Sequence, residues 1–242
     1  MRRRAIVLIG PPGSGKGTQA SLLASKLRIP AISTGNILRR ECEAGTRLGN
    51  AVKALLAGGE LVPDDLVNQV ASRWISHPDA QRGFLLDGYP RTVPQAVHLD
   101  RLLEELGMPG PAVLEIDVPV PMLMKRLTGR LQCPACGRSY KERLGAPAHR
   151  GLCDDDGAPL VRRSDDSEPT IRERLRLYAE SSAPVIEYYR GADLHRIDGT
   201  GGPGAVLEAL ESALGNAHEP PPHPAFPVSA PRTLMEPRTG GD

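Results

Sequence analysis

Apolar residues fall into two alternating rhythms along the chain. Short, nearly continuous apolar runs at 4–9, 31–33, 84–87, 113–118 and 194–197 predict strands. Longer stretches repeat apolar positions every three or four residues and predict helices over 16–27, 36–44, 48–57, 64–75, 93–106, 121–128, 170–181, 185–189 and 205–214. Strands separated by helices imply a parallel sheet with helices on both faces. The unbroken apolarity from Ala5 to Ile9 suits a strand buried on both sides.

Two segments lose the rhythm. Between 129 and 166 no periodicity is left, and three of the four cysteines stand there among Gly, Pro and charged residues, which predicts a small inserted module. From 216 to 242 there are seven prolines and few large apolar residues, so this tail is expected to be disordered.

Composition changes the picture only by exclusion. With 30 basic and 29 acidic side chains in 242 residues, nothing pulls the whole chain toward nucleic acid or anionic membrane. No apolar run approaches the roughly 20 residues of a membrane-spanning helix. The basic-then-apolar start, Met1 to Ile9, ends in Gly10-Pro11-Pro12-Gly13 rather than in a small-residue cleavage site, which speaks against a signal peptide. A cytoplasmic protein is the expectation.

The first predicted strand runs into Gly10-Pro11-Pro12-Gly13-Ser14-Gly15-Lys16-Gly17-Thr18 and then into a helix. Glycines let successive backbone N–H groups turn inward around a phosphate. The helix start adds partial positive charge, and a lysine reaches the terminal phosphate. Gly13, Ser14, Gly15, Lys16, Gly17 and Thr18 are therefore candidate triphosphate-binding residues. Gly17 stands where Ser or Thr commonly ligates magnesium, which implies a metal held mainly by substrate phosphates and water.

Four motifs in register, residues 10–19, 33–39 (Ser-Thr-Gly-Asn-Ile-Leu-Arg), 87–92 (Asp-Gly-Tyr-Pro-Arg-Thr) and 163–166 (Arg-Ser-Asp-Asp), resemble the adenylate kinase family in its long-lid form. The resemblance covers about residues 4–214. It implies a doubly wound α/β fold of the P-loop kinase type, with a five-stranded parallel sheet, a nucleoside-monophosphate-binding arm and an inserted zinc-ribbon-like lid. The division it implies is a core of 1–32, 63–128 and 167–215, an AMP-binding arm of 33–62 and a lid of 129–166. It also implies Mg-dependent transfer of the terminal phosphate of ATP to AMP by a monomer, with no nucleic-acid or membrane partner.

Phosphoryl transfer is mostly positioning and charge neutralisation, and a phosphate acceptor needs no general base. None of the six histidines lies in the four motifs, while arginine appears in each motif beyond the phosphate loop. By resemblance, Arg39 and Arg91 grip AMP. Arg126 and Arg130 hold ATP, and Arg163 and Arg174 join Lys16, Arg91 and Arg130 at the transferring group while also facing AMP. Thr34 and Gln95 read the adenine, Gly88 lets backbone approach it, and Glu60, Leu61 and Val62 close over it. Asp87, at the carboxyl end of a predicted strand, suits magnesium held through water.

Cys133-x-x-Cys136 and, after sixteen intervening residues, Cys153-x-x-Asp156 have zinc-ribbon spacing, with Asp156 where a fourth cysteine would stand. Asp154, Asp155 and His149 are rival fourth ligands. Four protein ligands leave no open position, so the zinc would be structural. Cys42 is read as inert packing. The competing functions are a kinase for another nucleoside monophosphate, a nucleotide-binding regulator without catalysis, and a nucleic-acid-binding zinc ribbon. The last is disfavoured by the lone Tyr140 and mixed charge of the module.

Overall fold

The computed structural model describes residues 4–141, 147–163 and 165–215. Its centre is a five-stranded, all-parallel sheet in the order β2-β3-β1-β4-β7. The strands are β1 (Ala5–Ile9), β2 (Ala31–Ser33), β3 (Phe84–Asp87), β4 (Ala112–Asp117) and β7 (Leu194–Asp198). Every residue of β1 is buried, as its unbroken apolarity predicts. Alternate side chains serve opposite layers. Val7, with Leu86 and Val113, packs into one hydrophobic cluster, while Leu8, with Leu85 and Leu114, packs into the other.

Between the strands run α1 (Lys16–Leu27), α2 (Thr34–Glu43), α3 (Arg47–Gly58), α4 (Asp64–Ile75), α5 (Val93–Glu105), α6 (Val120–Thr128), α7 (Glu168–Leu177), α8 (Ala183–Tyr188) and α9 (Pro203–Gly215). Local caps fix several starts. Thr46 accepts the Gly49 N–H at 3.0 Å before α3, and Thr92 accepts the Gln95 N–H at 3.3 Å before α5. These caps satisfy N–H groups that have no partner within the helix.

The structure departs from the pattern-based elements at three places. The helix expected from 36 begins at Thr34, straight out of β2. The helices expected at 170–181 and 185–189 form one run joined by a π-helical turn, Tyr178–Ser182. Pro184, near the start of α8, has no N–H to give and its ring crowds the carbonyl four residues back, so the backbone widens there. In the aperiodic module two short antiparallel strands appear, β5 (Arg130–Gln132) and β6 (Ser139–Lys141). Three residues are too few for alternation to register. The tail expected to be disordered, 216–242, lies outside the described residues, as do Ser164 and part of the module, 142–146.

Candidate functional site

The loop between β1 and α1 turns on glycines. Gly10 has φ +154°, and a Cβ there would lie 2.6 Å from the Ile116 carbonyl oxygen of β4, so the loop can pass over the sheet only without a side chain. Gly15, at φ +102°, sits directly before α1, and no side chain caps that helix start. Its first N–H groups are therefore available to an anion. Lys16 folds back over the loop, its Nζ donating to the Gly10 and Pro11 carbonyls at 2.6 and 2.9 Å. Burial, against the pull of Asp87 and with repulsion from Arg91, Arg174 and Arg130, pushes the Lys16 ammonium down to about 7.

One continuous cleft runs from Lys16 and Thr18 past Asp87 to Arg39, Val62 and Gln95. It lies over the carboxyl ends of the strands, where open α/β sheets bind ligands. All candidate residues of the phosphate loop except Ser14 line it, together with Thr34, Glu60, Leu61, Gly88 and all six candidate arginines. Ser14 is buried beneath, its carbonyl accepting from Arg126 Nη1 at 3.3 Å. Arg126 also donates to the Gly199 carbonyl at 2.8 Å and so ties the phosphate loop to the turn after β7.

Arg130, Arg163 and Arg174 are held by carboxylates that carried no role in the sequence reading. Arg130 makes a two-pronged contact with Asp166, Nε to Oδ2 at 2.7 Å and Nη2 to Oδ1 at 2.5 Å. Arg163 pairs with Asp165 in the same way at 2.8 and 2.7 Å. Arg174 Nη1 reaches both, at 3.0 Å from Asp165 Oδ2 and 3.1 Å from Asp166 Oδ1. Such forks fix guanidinium planes. Burial, reinforced by like charge, weakens proton binding at Arg39, Arg130 and Arg174. Guanidinium stays charged nonetheless, so the crowding is an unfavourable field that an anion relieves. The adjacent acids of the 163–166 motif were the signal for these two orienting groups.

On the far side, Thr34 is buried at the start of α2 and its Oγ1 donates to the Gly88 carbonyl at 3.0 Å. Arg91 Nε donates to the same carbonyl at 2.8 Å, and Arg39 Nη2 donates to Asn36 Oδ1 at 2.6 Å. Gln95 is buried with both ends of its amide engaged. Its Oε1 accepts the Arg91 N–H at 2.8 Å and its Nε2 donates to Asp64 Oδ1 at 2.6 Å. Each end still has a second N–H or lone pair to offer a base edge. Asp64 is a partner that the sequence did not reveal. Asp87 ends β3, where its Oδ2 accepts from Ser33 Oγ at 3.1 Å, beside Gly17.

In the inserted module Cys133, Cys136, Cys153 and Asp156 offer ligand atoms that all lie within 4.8 Å of one another. Two matching turns build the cluster. The Gly137 N–H bonds to the Cys133 carbonyl at 3.0 Å, and the Gly157 N–H bonds to the Cys153 carbonyl at 2.9 Å. The rival acids are otherwise engaged, since Asp154 Oδ1 accepts the Ala148 N–H at 2.8 Å and Asp155 pairs with Arg138. Burial, then contact with Cys153, Cys133 and Asp156, pushes the Cys136 thiol up to about 12, a crowding that a cation reverses. Three sulfurs and one carboxylate are a donor set compatible with a structural zinc. Cys42 lies apart, its Sγ donating to the Gly49 carbonyl at 3.2 Å. No described helix is long and apolar enough to cross a membrane.

A sequence model described as adenylate kinase matches residues 8–194. Proteins named adenylate kinase from Moorella thermoacetica and from Anaeromyxobacter dehalogenans strain 2CP-1 are 46% and 43% identical over 211 residues, 87% of this chain and 97% and 99% of theirs. One from Kosmotoga olearia is 45% identical over 212 residues, 87% of this chain and 99% of its own. Every residue lining the cleft falls within residues 8–194, and the chain belongs to the adenylate kinase family of phosphotransferases acting on nucleoside monophosphates.

Proposed function

We propose that the cleft transfers the terminal phosphate of ATP to AMP, giving two ADP, and that each side chain acts by positioning and charge. The observation that carries this reading is the cleft itself: a glycine loop with Lys16 at one end, Thr34 and Gln95 at the other, and arginines between. The loop from Gly13 to Thr18 cradles the ATP phosphates, with Arg126 and Arg130 at their flank. Arg39 and Arg91 hold the AMP phosphate in line. Lys16, Arg91, Arg130, Arg163 and Arg174 neutralise charge spreading over the transferring group. An ionised AMP oxygen attacks directly, so no side chain takes a proton.

Thr34, with oxygen lone pairs still free to accept, and Gln95 discriminate the base, under Glu60, Leu61 and Val62 and beside the Gly88 backbone. Residues 33–62 act as the AMP arm, 129–166 as a lid that keeps water from the phosphates, and 1–32, 63–128 and 167–215 as the core. Magnesium, held through water by Asp87 and otherwise by nucleotide phosphates, supplies charge neutralisation on ATP. Zinc on Cys133, Cys136, Cys153 and Asp156 supplies rigidity to the lid. The enzyme works as a cytoplasmic monomer in adenine nucleotide homeostasis.

The test is direct. Purified protein mixed with ATP, AMP and magnesium forms ADP, and CMP, UMP and GMP replace AMP poorly. Absence of ADP, or equal use of all four monophosphates, overturns the reading.

A further inference from the structure

The metal knuckle touches the helix that carries the AMP-binding residues. Arg40 of α2 extends an Nη2–H to the carbonyl oxygen of Ala135 at 3.0 Å, across 95 residues of sequence. Ala135 lies between Cys133 and Cys136, so the direction of its carbonyl is set by whatever holds those two cysteines. One turn further, a Cβ on Gly137 would lie 3.2 Å from Asn36 Nδ2, so α2 and the knuckle meet at a second point. The knuckle backbone is braced from its own side, where Gln132 Nε2 donates to the Gly137 carbonyl at 2.9 Å. Among the described residues Arg40 pairs with no carboxylate, which leaves its guanidinium to the carbonyl. Its neighbour Arg39 faces the cleft, and Asn36 lies between the two: its Oδ1 accepts from Arg39 while its amide nitrogen packs close to Gly137 of the knuckle.

We propose that Arg40 is a positioning residue that couples metal retention in the lid to AMP binding in the arm. The coupling rests on the reading of the two modules given above. Zinc fixes the loop 133–136 and so presents the Ala135 carbonyl to Arg40, and the docked arm in turn holds the loop in its metal-binding shape. Coupling between two binding events is reciprocal, so AMP must tighten zinc by the factor with which zinc tightens AMP, and with zinc uptake unchanged that gain appears as slower release of the metal. A charge-assisted hydrogen bond at a solvent-exposed site sets that factor at about threefold.

The test follows zinc release from the full-length, zinc-loaded protein by the absorbance of a pyridylazoresorcinol complex, with and without saturating AMP. AMP is expected to slow release about threefold in the parent protein and to leave it unchanged in Arg40→Ala. Arg40→Lys, which keeps a donor, retains a measurable slowing. Arg40→Ala should still carry one zinc per chain and keep kcat, since Arg40 does not line the cleft, while KM for AMP rises by about the same factor. Equal slowing in the parent and in Arg40→Ala overturns the proposal, and so does no slowing in a parent that binds AMP by calorimetry. A parent that holds no zinc, or does not bind AMP, overturns instead the reading on which the coupling stands.

Discussion

Replacing Lys16 by Met should stabilise the protein without nucleotide while stripping it of activity. The ammonium is crowded by Arg91, Arg174 and Arg130, and burial pushes it down from 10.5 to about 7. The sign follows from linkage. Between those two pH values the unfolded chain holds a proton that the folded chain has released, so parent stability rises with pH across the window, and below it the full cost of burial is present. At roughly 1.36 kcal/mol per unit, that displacement caps the cost at just under about 5 kcal/mol. Two effects reduce it. The side chain keeps part of its surface in a solvent-filled cleft, and Met forfeits the bonds to the Gly10 and Pro11 carbonyls, worth about 1 kcal/mol each. A gain of about 1–2 kcal/mol at pH 6.5 is therefore expected, reversing to a loss of about 1–2 kcal/mol by pH 10, where the burial cost has gone and the two hydrogen bonds are still missing. Urea unfolding of both proteins at half-unit intervals from pH 6 to 10 measures the difference. Parallel stability curves would refute the depressed lysine, and near-normal turnover in Lys16→Met would refute its place at the transferring phosphate.

Other perturbations test other parts. In Asp165 burial pulls the carboxyl up, but Arg163 and Arg174 outweigh it and hold the group well below the carboxylate range. Its contribution is present above about pH 4 and is lost as acid protonates the folded state, so Asp165→Asn should flatten acid denaturation between about pH 4 and 2 and weaken turnover at neutral pH; an unchanged acid limb counts against the pair. Gly49→Ala places a Cβ 2.0 Å from the Glu41 carbonyl oxygen, which only backbone displacement relieves, so a loss of about 3 kcal/mol is expected in thermal unfolding, and a loss under about 1 kcal/mol contradicts the contact between α2 and α3. Elemental analysis of reduced, chelator-free protein should find one zinc per chain. Cys153→Ser and Asp156→Ala should lose it far more readily than Asp154→Ala or Asp155→Ala, and chelation should lower Tm; equal retention in all four variants would exclude the cluster.

The sequence carried the sheet because its central strands are buried on both faces, so apolarity itself marks them, as in Ala5 to Ile9. It carried the phosphate loop because glycines there answer a backbone requirement that no other residue meets. What it did not carry is mostly second partners. Asp166 beneath Arg130, Asp64 beneath Gln95 and Tyr140, whose hydroxyl lies 3.3 Å from Cys153 Sγ, act through contacts between distant segments that spacing does not encode. The choice of Asp156 over Asp154 and Asp155 was likewise open in sequence, because three consecutive acids differ only in where the turn points them. The π-helical turn before α8 had a visible cause in Pro184, yet a 3.6-residue rhythm on either side masked it.

The chain has one tryptophan, and its location makes it useful. Trp74, near the end of α4, is 46% exposed, 6.3 Å between ring centroids from His77. It lines a shallow groove with Ile37 and Glu41 of α2 and Leu48 of α3, where these two helices meet α4. Rotation of α2 and α3 against α4 changes how much water reaches the indole. Intrinsic fluorescence excited at the indole band therefore reports on α2 and α3, without a label and without a signal from residues 129–166, whose described part contains no tryptophan. Stopped-flow mixing with AMP thus follows any movement of α2 and α3 against α4 in the unmodified protein.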